Sequence, residues 1–402
     1  MSEVADVLVV GAGPAGASAA LAARQTDPAA DVRLLDLADF PRDKVCGDGI
    51  APHALAELRR LGVTGLAEGY GPIHTLDLRS PGGLQLKARA PEPMYVIPRA
   101  VFDARLVAAA QAAGVTLVRH RARTLEQHRT HVRVDNEHAG KTLVIADGAN
   151  STLRRALNIP RNPDQHMAVA IRGYAPEHPA DHLDPAQSIV MQDDAWPAYA
   201  WSFPLVDGSG TANIGYGRLR SALRSRRQLE EELTRLLPGR PAERLRAHHL
   251  PLATWRPRQP DGRVLLAGDA ASLINPLTGE GIFYAVRSGR LAGQEAARAA
   301  ARERTATTEP TRANPGRAYR EALRAELGRH LRHTSWLARL SAHPGAVDAA
   351  VAAAQARPET LHRLIDLGLG DGVIPARLAP PVLLHFARGR LLRLPASTGR
   401  AR

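Results

Sequence analysis

The sequence predicts a mixed α/β fold: a Rossmann-type domain, an inserted antiparallel β-sheet domain and a C-terminal helical region. Three observations predict it. A short apolar run at Ala5–Val10 leads into a glycine-rich loop and an Ala-rich helical stretch. Four segments with strand-like patterns, separated by turn residues, follow between residues 168 and 216. After Thr305 the chain has a helical, Arg/Ala-rich pattern, with proline-containing breaks near residues 344, 358 and 375–381.

The N-terminal glycine loop predicts a dinucleotide site. In a GxGxxG loop, Gly11 permits the tight turn, Gly13 lets the backbone approach a pyrophosphate, and Gly16 lets the helix pack on the sheet. The helix N-terminus supplies N–H donors and the positive end of a dipole. Asp36, at the end of the second strand, can accept hydrogen bonds from ribose hydroxyls. This unit is compatible with either NAD or FAD.

The remaining elements follow from hydrophobic periodicity and turn residues. We expect helices at Val101–Ala113 and Gly281–Ala300, and strands at Val32–Leu37, Val115–Arg119, His131–Val134, Thr142–Ala146, Ala168–Tyr174, Ser188–Gln192, Tyr199–Leu205, Thr211–Tyr216 and Arg263–Ala267. The domain boundaries we expect are 1–75, 95–165 and 262–300 for the Rossmann-type domain, 76–94 and 166–261 for the inserted sheet domain, and 301–402 for the helical region, with 395–402 disordered.

Composition and charge narrow the class of protein. The formal net charge is +13, but 50 of the 53 basic residues are Arg and they are spread along the chain, so we expect no nucleic-acid partner. A single cysteine excludes a disulfide framework or a Cys-rich metal site. The histidines show no metal-ligand spacing, so we expect no metal. We also expect no signal peptide, no membrane span and a cytoplasmic location.

Two later segments favour FAD over NAD. Ala146–Ser151 and Leu266–Ala271 each follow a strand and carry an Asp flanked by Gly, and the second continues through Asn275–Gly281 into a helix. An Asp at a strand end can bind ribityl hydroxyls. The N-terminus of the following helix can face the pyrimidine edge of a flavin, which becomes anionic on reduction. The sequence therefore predicts an FAD-binding domain.

These segments, in this order and spacing, resemble the FAD-binding class that includes the aromatic hydroxylases, the flavin halogenases and the geranylgeranyl reductases. Within that class, Phe40–Ile50 and Asn275–Ala285 are similar to the geranylgeranyl reductase family. The resemblance covers residues 1–300 and, more loosely, the helical tail. It implies that FAD is bound by Gly11, Gly13, Gly16, Asp36, Arg99, Asp147, Gly148, Gly268, Asp269, Gly279 and Gly281, with Arg99 near the phosphates.

An aromatic strand is the predicted substrate surface. Tyr199, Trp201 and Phe203 alternate, so they project from one face of a sheet. Such a row can line an apolar tunnel or pack between sheet and helix; the aromatic-poor composition and the family resemblance favour the tunnel. The prenyl reductases tend to carry Pro-x-x-Tyr-x-Trp-x-Phe-Pro here. In this chain Trp196 takes the first Pro position, a departure that bears on the shape of the pocket.

Cys46 and Asp48 each have two interpretations. Cys46 is either a small buried hydrophobe or, as the resemblance implies, a residue near the flavin ring that shapes or protonates the substrate. Asp48 either caps a helix that starts near Ile50 or takes part in the chemistry. The catalytic residues we expect are Cys46, Tyr199 and Trp201.

The sequence and the resemblance together predict an FAD-dependent reductase. It would transfer hydride from reduced flavin to carbon–carbon double bonds of an isoprenoid or similar apolar substrate. The alternative is an FAD-dependent monooxygenase, a hydroxylase or epoxidase that tailors a secondary metabolite. Halogenation is disfavoured because none of the three lysines lies in a matching segment. A non-catalytic prenyl-lipid carrier is disfavoured because Asp36, Asp147 and Asp269 are intact.

The expected partners follow from the same interpretation. The chain has no second strand-linked glycine motif, so the electron donor is either NAD(P)H bound transiently or a separate reduced carrier. The substrate is an apolar small molecule or a prenyl lipid. The apolar, Arg-containing tail at Pro380–Leu394 suggests peripheral membrane contact. The sequence does not indicate an oligomeric state.

Overall fold

The computed structural model describes residues 4–192, 198–305 and 314–374. In these ranges the strands are β1 Ala5–Val10, β2 Val32–Asp36, β3 Gly49–Ile50, β4 Ile73–Arg79, β5 Gln85–Val96, β6 Thr116–Arg119, β7 Leu125–Gln127, β8 Val132–Val134, β9 His138–Ile145, β10 Met167–Pro176, β11 Ala186–Met191, β12 Ala198–Pro204, β13 Thr211–Leu219, β14 Glu243–Pro251 and β15 Val264–Leu266. The helices are α1 Pro14–Thr26, α2 Pro52–Arg60, α3 Arg99–Ala112, α4 Thr152–Ala156, α5 Arg226–Leu236, α6 Ile282–Thr305, α7 Pro315–Leu340, α8 Pro344–Ala356 and α9 Pro358–Leu369.

The first sheet is the Rossmann-type sheet. Its strands run in the order β6-β2-β1-β9-β8-β7, and β15 also pairs with β9. The pairs among β6, β2, β1, β9 and β15 are parallel, whereas β7, β8 and β9 are joined antiparallel. The residues of β1 are all buried and apolar except Asp6, as expected for a strand covered on both faces. The predicted N-terminal strand, glycine loop, helix and second strand are confirmed.

Helices α1 and α6 pack closely against each other because of two glycines in α6. A Cβ atom on Gly289 would lie 2.1 Å from the carbonyl oxygen of Ala15, and one on Gly293 would lie 2.0 Å from that of Ala19. Only a residue without a side chain allows this backbone-to-backbone approach. The contact fixes the start of α6 beside the glycine loop that precedes α1.

The second sheet has the order β14-β10-β13-β12-β11-β4-β5-β3. The four predicted strands at its centre are confirmed as β10, β11, β12 and β13, and the pairs among them are antiparallel. On the other side of β11 lies β4, which runs parallel to it, with Ser188 opposite Asp77. The β4–β5 hairpin enters the sheet from an earlier part of the chain, so its direction is not set by a tight turn into β11.

The C-terminal helices cover one face of the second sheet. Helices α8 and α9 begin at Pro344 and Pro358, where proline-containing breaks were predicted. Their apolar residues form one cluster with β4 and β5: Ile73, Leu76, Leu86, Ala90, Met94, Val96, Val351, Ala354, Leu361 and Ile365. The helical region therefore shares a core with the inserted sheet.

Several predictions lie outside the described residues. These are the role of Trp196, the break at residues 375–381, the membrane-contacting tail at Pro380–Leu394 and the disorder of residues 395–402. Among the helices that the structure describes, none combines the length and the apolar character needed to cross a bilayer.

Candidate active site

A cleft of about 680 Å³ lies between the two sheets. Its walls include Asp36 and the glycine loop, and also Tyr199, Trp201 and Phe203 of β12. The predicted cofactor residues and the predicted substrate residues therefore border one continuous space. A volume of this size is typical of small-molecule and cofactor sites.

The glycine loop after β1 forms one wall of the cleft. Gly11 has φ +97°, and a Cβ atom there would lie 2.3 Å from the carbonyl oxygen of Ala146. A Cβ atom on Gly16 would lie 1.7 Å from the carbonyl oxygen of Gly11. No side chain caps the N-terminus of α1, which begins after Gly13. The first N–H groups of the helix are therefore available to an anionic ligand.

Asp36 lies at the end of β2, beside this loop. Its carboxylate accepts hydrogen bonds from the backbone N–H groups of Ala12 at 2.7 Å and Ala38 at 2.9 Å. Each carboxylate oxygen has further acceptor capacity. The geometry leaves Asp36 able to accept hydroxyl groups from a ligand in the cleft.

Two guanidinium groups face the loop at Gly13. A Cβ atom on Gly13 would lie 3.7 Å from a terminal nitrogen of Arg42 and 3.9 Å from one of Arg99. Arg99 is buried and forms a bidentate ion pair with Asp103, at 2.6 and 2.8 Å. Burial alone would lower the pKa of Arg99, but the Asp103 carboxylate raises it above its ordinary value. Arg99 therefore keeps its positive charge beside the glycine loop.

Asp147 and Gly148 follow β9 on the next wall of the cleft. One oxygen of Asp147 accepts hydrogen bonds from the backbone N–H groups of Thr152 at 2.9 Å and Leu153 at 3.3 Å, so it caps α4. Its other oxygen is buried and has no hydrogen-bond partner among the described residues. Burial raises the pKa of this carboxyl. A buried polar atom without a partner is expected where a ligand completes the site.

The segment from Gly268 to Gly281 lies next to the aromatic strand. Gly279 has φ +74°, and a Cβ atom there would lie 2.8 Å from the hydroxyl oxygen of Tyr199. A Cβ atom on Gly281 would lie 3.8 Å from a carboxylate oxygen of Asp269, whose pKa is raised by burial. Gly268 precedes Asp269 with φ +58°. Asp269, Gly279 and Gly281 thus border the cleft, whereas Gly268 lies against Ala15 and Ala285.

Glu280 caps the helix that follows this segment. Its carboxylate accepts a hydrogen bond from the backbone N–H of Phe283 at 2.7 Å, in the first turn of α6. Burial raises the pKa of Glu280 to about 7. This acidic group in the cleft was not among the predicted site residues.

The turn that carries Cys46 is held by the inserted sheet. Arg172 of β10 donates hydrogen bonds to the carbonyl oxygen of Cys46 at 3.2 Å, to that of Lys44 at 3.0 Å and to the Asp43 carboxylate at 2.6 Å. Asn213 of β13 donates to the carbonyl oxygen of Cys46 at 2.9 Å. Burial raises the pKa of the Cys46 thiol, so the thiol keeps its proton at neutral pH.

Asp48 is fully buried behind this turn. Its carboxylate accepts hydrogen bonds from the Tyr174 hydroxyl at 2.6 Å and from the Asn213 amide at 2.7 Å. It also accepts one, at 3.4 Å, from the backbone N–H of Arg99, the first residue of α3. The expectation that Asp48 caps a helix starting near Ile50 is wrong, because α2 has Ala51 at its N-cap and no side-chain cap. Burial raises the pKa of Asp48 to about 6.

The aromatic side chains of β12 lie on one face, as predicted, and line the cleft. The Tyr199 hydroxyl donates a hydrogen bond to the carbonyl oxygen of Thr278 at 2.5 Å, and the Trp201 indole donates to the Asn213 amide oxygen at 2.9 Å. A Cβ atom on Gly215 would lie 2.1 Å from the Trp201 ring, so only glycine leaves room for it. Phe203 lies across from Gly47, whose Cβ position is 3.6 Å from its ring.

Lys44 and His248 also line the cleft, and the sequence did not single them out as site residues. Burial lowers the pKa of Lys44 to about 8, and the Asp269 carboxylate opposes that shift. Burial, with a contribution from Lys44, lowers the pKa of His248 to about 3, so its imidazole is neutral at pH 7. In the sequence, Lys44 could have been recognised as a site residue from its position in the Phe40–Ile50 segment. No sequence pattern identified His248 as a site residue, because the strand that carries it, β14, was not predicted.

The end of α9 closes the site from the C-terminal side. Thr278 donates a hydrogen bond to the carbonyl oxygen of Gly368 at 2.6 Å, and the Tyr284 hydroxyl donates to that of Gly370 at 2.8 Å. Leu369, between them, lines the cleft. The glycine-rich stretch of the tail is therefore part of the site.

Known proteins resemble the chain over most of its length. A family model described as an FAD binding domain matches residues 4–190. The chain is 35% identical to the menaquinone reductase of Mycolicibacterium smegmatis, with 73% of this chain and 76% of the relative covered. It is 32% identical to digeranylgeranylglycerophospholipid reductase 1 of Methanopyrus kandleri, with 73% and 80% covered.

The chain belongs to the geranylgeranyl reductase family of FAD-dependent oxidoreductases. Solved structures show the same fold. A geranylgeranyl bacteriochlorophyll reductase-like protein from Thermoplasma acidophilum superimposes with a TM-score of 0.72 at 21% identity, covering 96% of each chain. A flavin-dependent brominase superimposes with a TM-score of 0.68 at 17% identity, covering 97% of this chain and all of the brominase. The fold is thus common to geranylgeranyl reductase-like proteins and halogenases.

The residues of this geranylgeranyl reductase family member fit FAD. A helix N-terminus without a side-chain cap, two guanidinium groups at Gly13 and the available oxygens of Asp36 suit an adenosine diphosphate. The unpartnered buried oxygen of Asp147 suits a hydroxyl donor such as the ribityl chain. All of these groups border one cleft. An extended cofactor such as FAD needs its binding residues to lie along one continuous space.

Proposed function

We propose that this protein reduces carbon–carbon double bonds in the isoprenoid chain of a lipid or a quinone. The observation that carries the proposal is the aromatic wall of Tyr199, Trp201 and Phe203, which borders the same cleft as the residues that fit FAD. An apolar chain can lie along such a wall with one double bond beside the cofactor. The names of the relatives, a menaquinone reductase and a phospholipid-linked prenyl reductase, support this substrate class.

The cofactor site we propose follows the resemblance residue by residue. The glycine loop, Asp36 and Arg99 hold the adenosine diphosphate half of FAD, while the remaining residues hold the ribityl and flavin half: Asp147, Gly148, Gly268, Asp269, Gly279 and Gly281. Bound and reduced FAD supplies a hydride to one carbon of the double bond.

Cys46 is the proposed proton donor to the other carbon. Its thiol is protonated at neutral pH because burial raises its pKa, and it lies on a turn fixed by Arg172 and Asn213. After proton transfer the sulfur would carry a negative charge. The Arg99 side chain interacts with Cys46, and its positive charge favours that thiolate. Solvent returns the proton when the product leaves.

Tyr199 and Trp201 are proposed to orient the substrate. Each has its polar atom bound within the protein, Tyr199 to Thr278 and Trp201 to Asn213, so their rings are fixed at the wall of the cleft. Fixed rings reduce the conformational freedom that a flexible chain retains when bound. Burial also raises the pKa of Tyr199, which keeps the hydroxyl neutral.

The proposal also covers the electron donor and the place where the enzyme meets its substrate. The donor is NAD(P)H bound transiently or a separate reduced carrier. We propose that the enzyme acts from the cytoplasmic side and meets its lipid substrate by peripheral membrane contact. The net charge of +13 would favour an anionic bilayer surface.

The test uses the FAD-loaded protein, reduced anaerobically and mixed with either menaquinone or geranylgeranyl diphosphate. Flavin reoxidation is followed by absorbance and the products by mass. We expect reoxidation coupled to products heavier by two hydrogen atoms per reduced bond. For menaquinone the mass is compared after the ring has been returned to the quinone, so that the added hydrogens are those of the isoprenoid chain. Failure with both compounds, together with an oxygen-bearing product when oxygen and an apolar substrate are supplied, would assign the protein to the monooxygenases instead.

Variants at Cys46 separate proton donation from binding. C46A removes the donor, and we expect product formation in single turnover to slow about 10²–10⁴-fold, with flavin content unchanged. C46S keeps a weaker donor of similar size and should recover part of the rate. Equal rates for C46A and the unchanged protein would remove Cys46 from the mechanism while leaving the reductase assignment intact.

A further inference from the structure

Three side chains with metal-ligating atoms meet at one end of the first sheet. His120 directly follows β6, and Glu137 and His138 lie at the turn between β8 and β9. Their ligating atoms all lie within 4.8 Å of one another. Since 16 residues of chain separate His120 from Glu137, no short sequence motif reveals the group, which explains the expectation of no metal site.

The distances within this group suit a small metal ion. The Nδ1 atom of His120 lies 3.7 Å from a carboxylate oxygen of Glu137. Two ligands of a tetrahedral zinc ion, each bound at about 2.0–2.2 Å, are separated by roughly 3.4 Å. The imidazole rings of His120 and His138 have their centroids 4.6 Å apart and are inclined by 79°. Glu137 is exposed, so its side chain can move toward the two imidazoles as coordination requires.

A second carboxylate orients His120. The Nε2 atom of His120 forms a hydrogen bond with Asp135 at 2.8 Å, which leaves Nδ1 on the side of Glu137. Asp135 is itself fixed by hydrogen bonds from the backbone N–H groups of Arg123 and Thr124, at 3.0 and 2.7 Å. A carboxylate bound to the second ring nitrogen is the usual support of a metal-ligating histidine, since it fixes the tautomer and raises the basicity of the ligand.

We propose that His120, Glu137 and His138 form a binding site for a divalent transition-metal ion, with zinc the best match. Two imidazoles and one carboxylate are ligands that zinc accepts, and the exposed side of the group leaves room for water as a fourth ligand. The nearby positive charge of Arg33 is offset by its ion pair with Asp31, at 2.8 Å.

The ion would join two parts of the chain at the adenosine end of the cleft. The backbone N–H of His120 donates a hydrogen bond to the carbonyl oxygen of Asp36 at 2.7 Å, and residues 120–122 line the cleft. A metal ion would tie this segment to the β8–β9 turn. The site is separate from Cys46 and the aromatic wall, so the inference does not depend on the proposed reaction.

The test is a titration of the FAD-loaded, chelator-treated protein with Co²⁺, whose visible absorption reports four-coordinate binding, and with Zn²⁺ by calorimetry. We expect one ion per chain. H120A and H138A should each lower the affinity at least 100-fold. D135N should lower it about 10- to 100-fold because it removes the carboxylate that orients His120. H182A is the matched control, since that histidine also lies beside a carboxylate, Glu177, but forms no cluster of three with other described residues.

Exposed Glu137 provides a variant that leaves the fold intact. E137Q keeps the size of the side chain and removes a charged ligand, so it should weaken Co²⁺ binding at least 10-fold with an unchanged circular dichroism spectrum. Two results would overturn the proposal. One is the absence of Co²⁺ and Zn²⁺ binding to the unchanged protein at millimolar metal. The other is a titration of the H120A/H138A double variant that equals that of H182A.

Discussion

Asn213 joins the substrate sheet to the Cys46 turn, and its removal is a stringent test of the site. Asn213 is fully buried. Its amide donates to the Asp48 carboxylate at 2.7 Å and to the carbonyl oxygen of Cys46 at 2.9 Å, and it accepts from the Trp201 indole at 2.9 Å. N213A removes all three hydrogen bonds in one change, although Arg172 still donates to the carbonyl oxygen of Cys46.

The expected cost follows from these contacts. A hydrogen bond to a charged group contributes about 1.5–3 kcal/mol and a neutral one about 0.5–1.5 kcal/mol. Because Tyr174 still donates to Asp48, we expect N213A to lower the free energy of unfolding by about 3–4 kcal/mol at pH 8. The pKa of Asp48 is about 6, so at pH 5 its carboxyl is mostly protonated and the charged hydrogen bond contributes less. The loss should therefore be smaller at pH 5 than at pH 8.

The assay is urea unfolding followed by far-UV circular dichroism at a fixed excess of FAD, since bound cofactor also stabilises the native state. S202A is the matched control. Ser202 lies on the neighbouring strand, is buried, and its hydroxyl has no hydrogen-bond partner among the described residues. We expect S202A to change the free energy of unfolding by no more than about 0.5 kcal/mol. A loss in N213A below about 1 kcal/mol at pH 8, or one equal at both pH values, would refute this account.

Two further predictions concern stability and cofactor binding. Asp48 has a pKa of about 6 in the native protein and 3.8 as its ordinary value, so the native state binds more protons between these values. The free energy of unfolding should therefore fall by about 2 kcal/mol as the pH rises from 4 to 7, and D48N should lack this share of the fall in urea titrations. G16A should abolish FAD retention after gel filtration because its Cβ would lie 1.7 Å from the Gly11 carbonyl oxygen. The control G328A, in helix α7 with its nearest contact at 3.7 Å, should keep FAD and gain about 0.5–1 kcal/mol.

The parts of the fold that were predicted correctly are those with a local signal. Ala5–Val10, the glycine loop and the helix after it lie within 26 residues, and each step has its own pattern of apolar residues or glycines. The alternation of Tyr199, Trp201 and Phe203 likewise predicted a common face without reference to the rest of the chain. Such features need no knowledge of which strands become neighbours.

The parts that were missed depend on contacts between distant segments. Residues 76–94 were assigned to the inserted sheet domain, but the strands β4 and β5 were not predicted, and the pairing of β4 with β11 joins segments more than 100 residues apart. Asp48 was a candidate cap for a helix starting near Ile50, yet its side-chain donors come from β10 and β13. Lys44 could be predicted as a site residue only with the knowledge that its turn lies near Asp269. These relations arise only from tertiary packing.

The docking of the last helix has an evolutionary consequence. The acceptors that α9 and the residues just after it offer to Asn275, Thr278 and Tyr284 are all backbone carbonyl oxygens, those of Leu367, Gly368 and Gly370. A backbone carbonyl oxygen remains in place when the side chain of its residue is substituted. The donors on the cofactor side, in contrast, are the specific side chains of Asn275, Thr278 and Tyr284. The tail can thus diverge in sequence, and with it the part of the cleft that Leu369 shapes, without disturbing the loop it covers. Exchanging this helical segment between relatives is accordingly a route by which one cofactor domain could acquire new substrates.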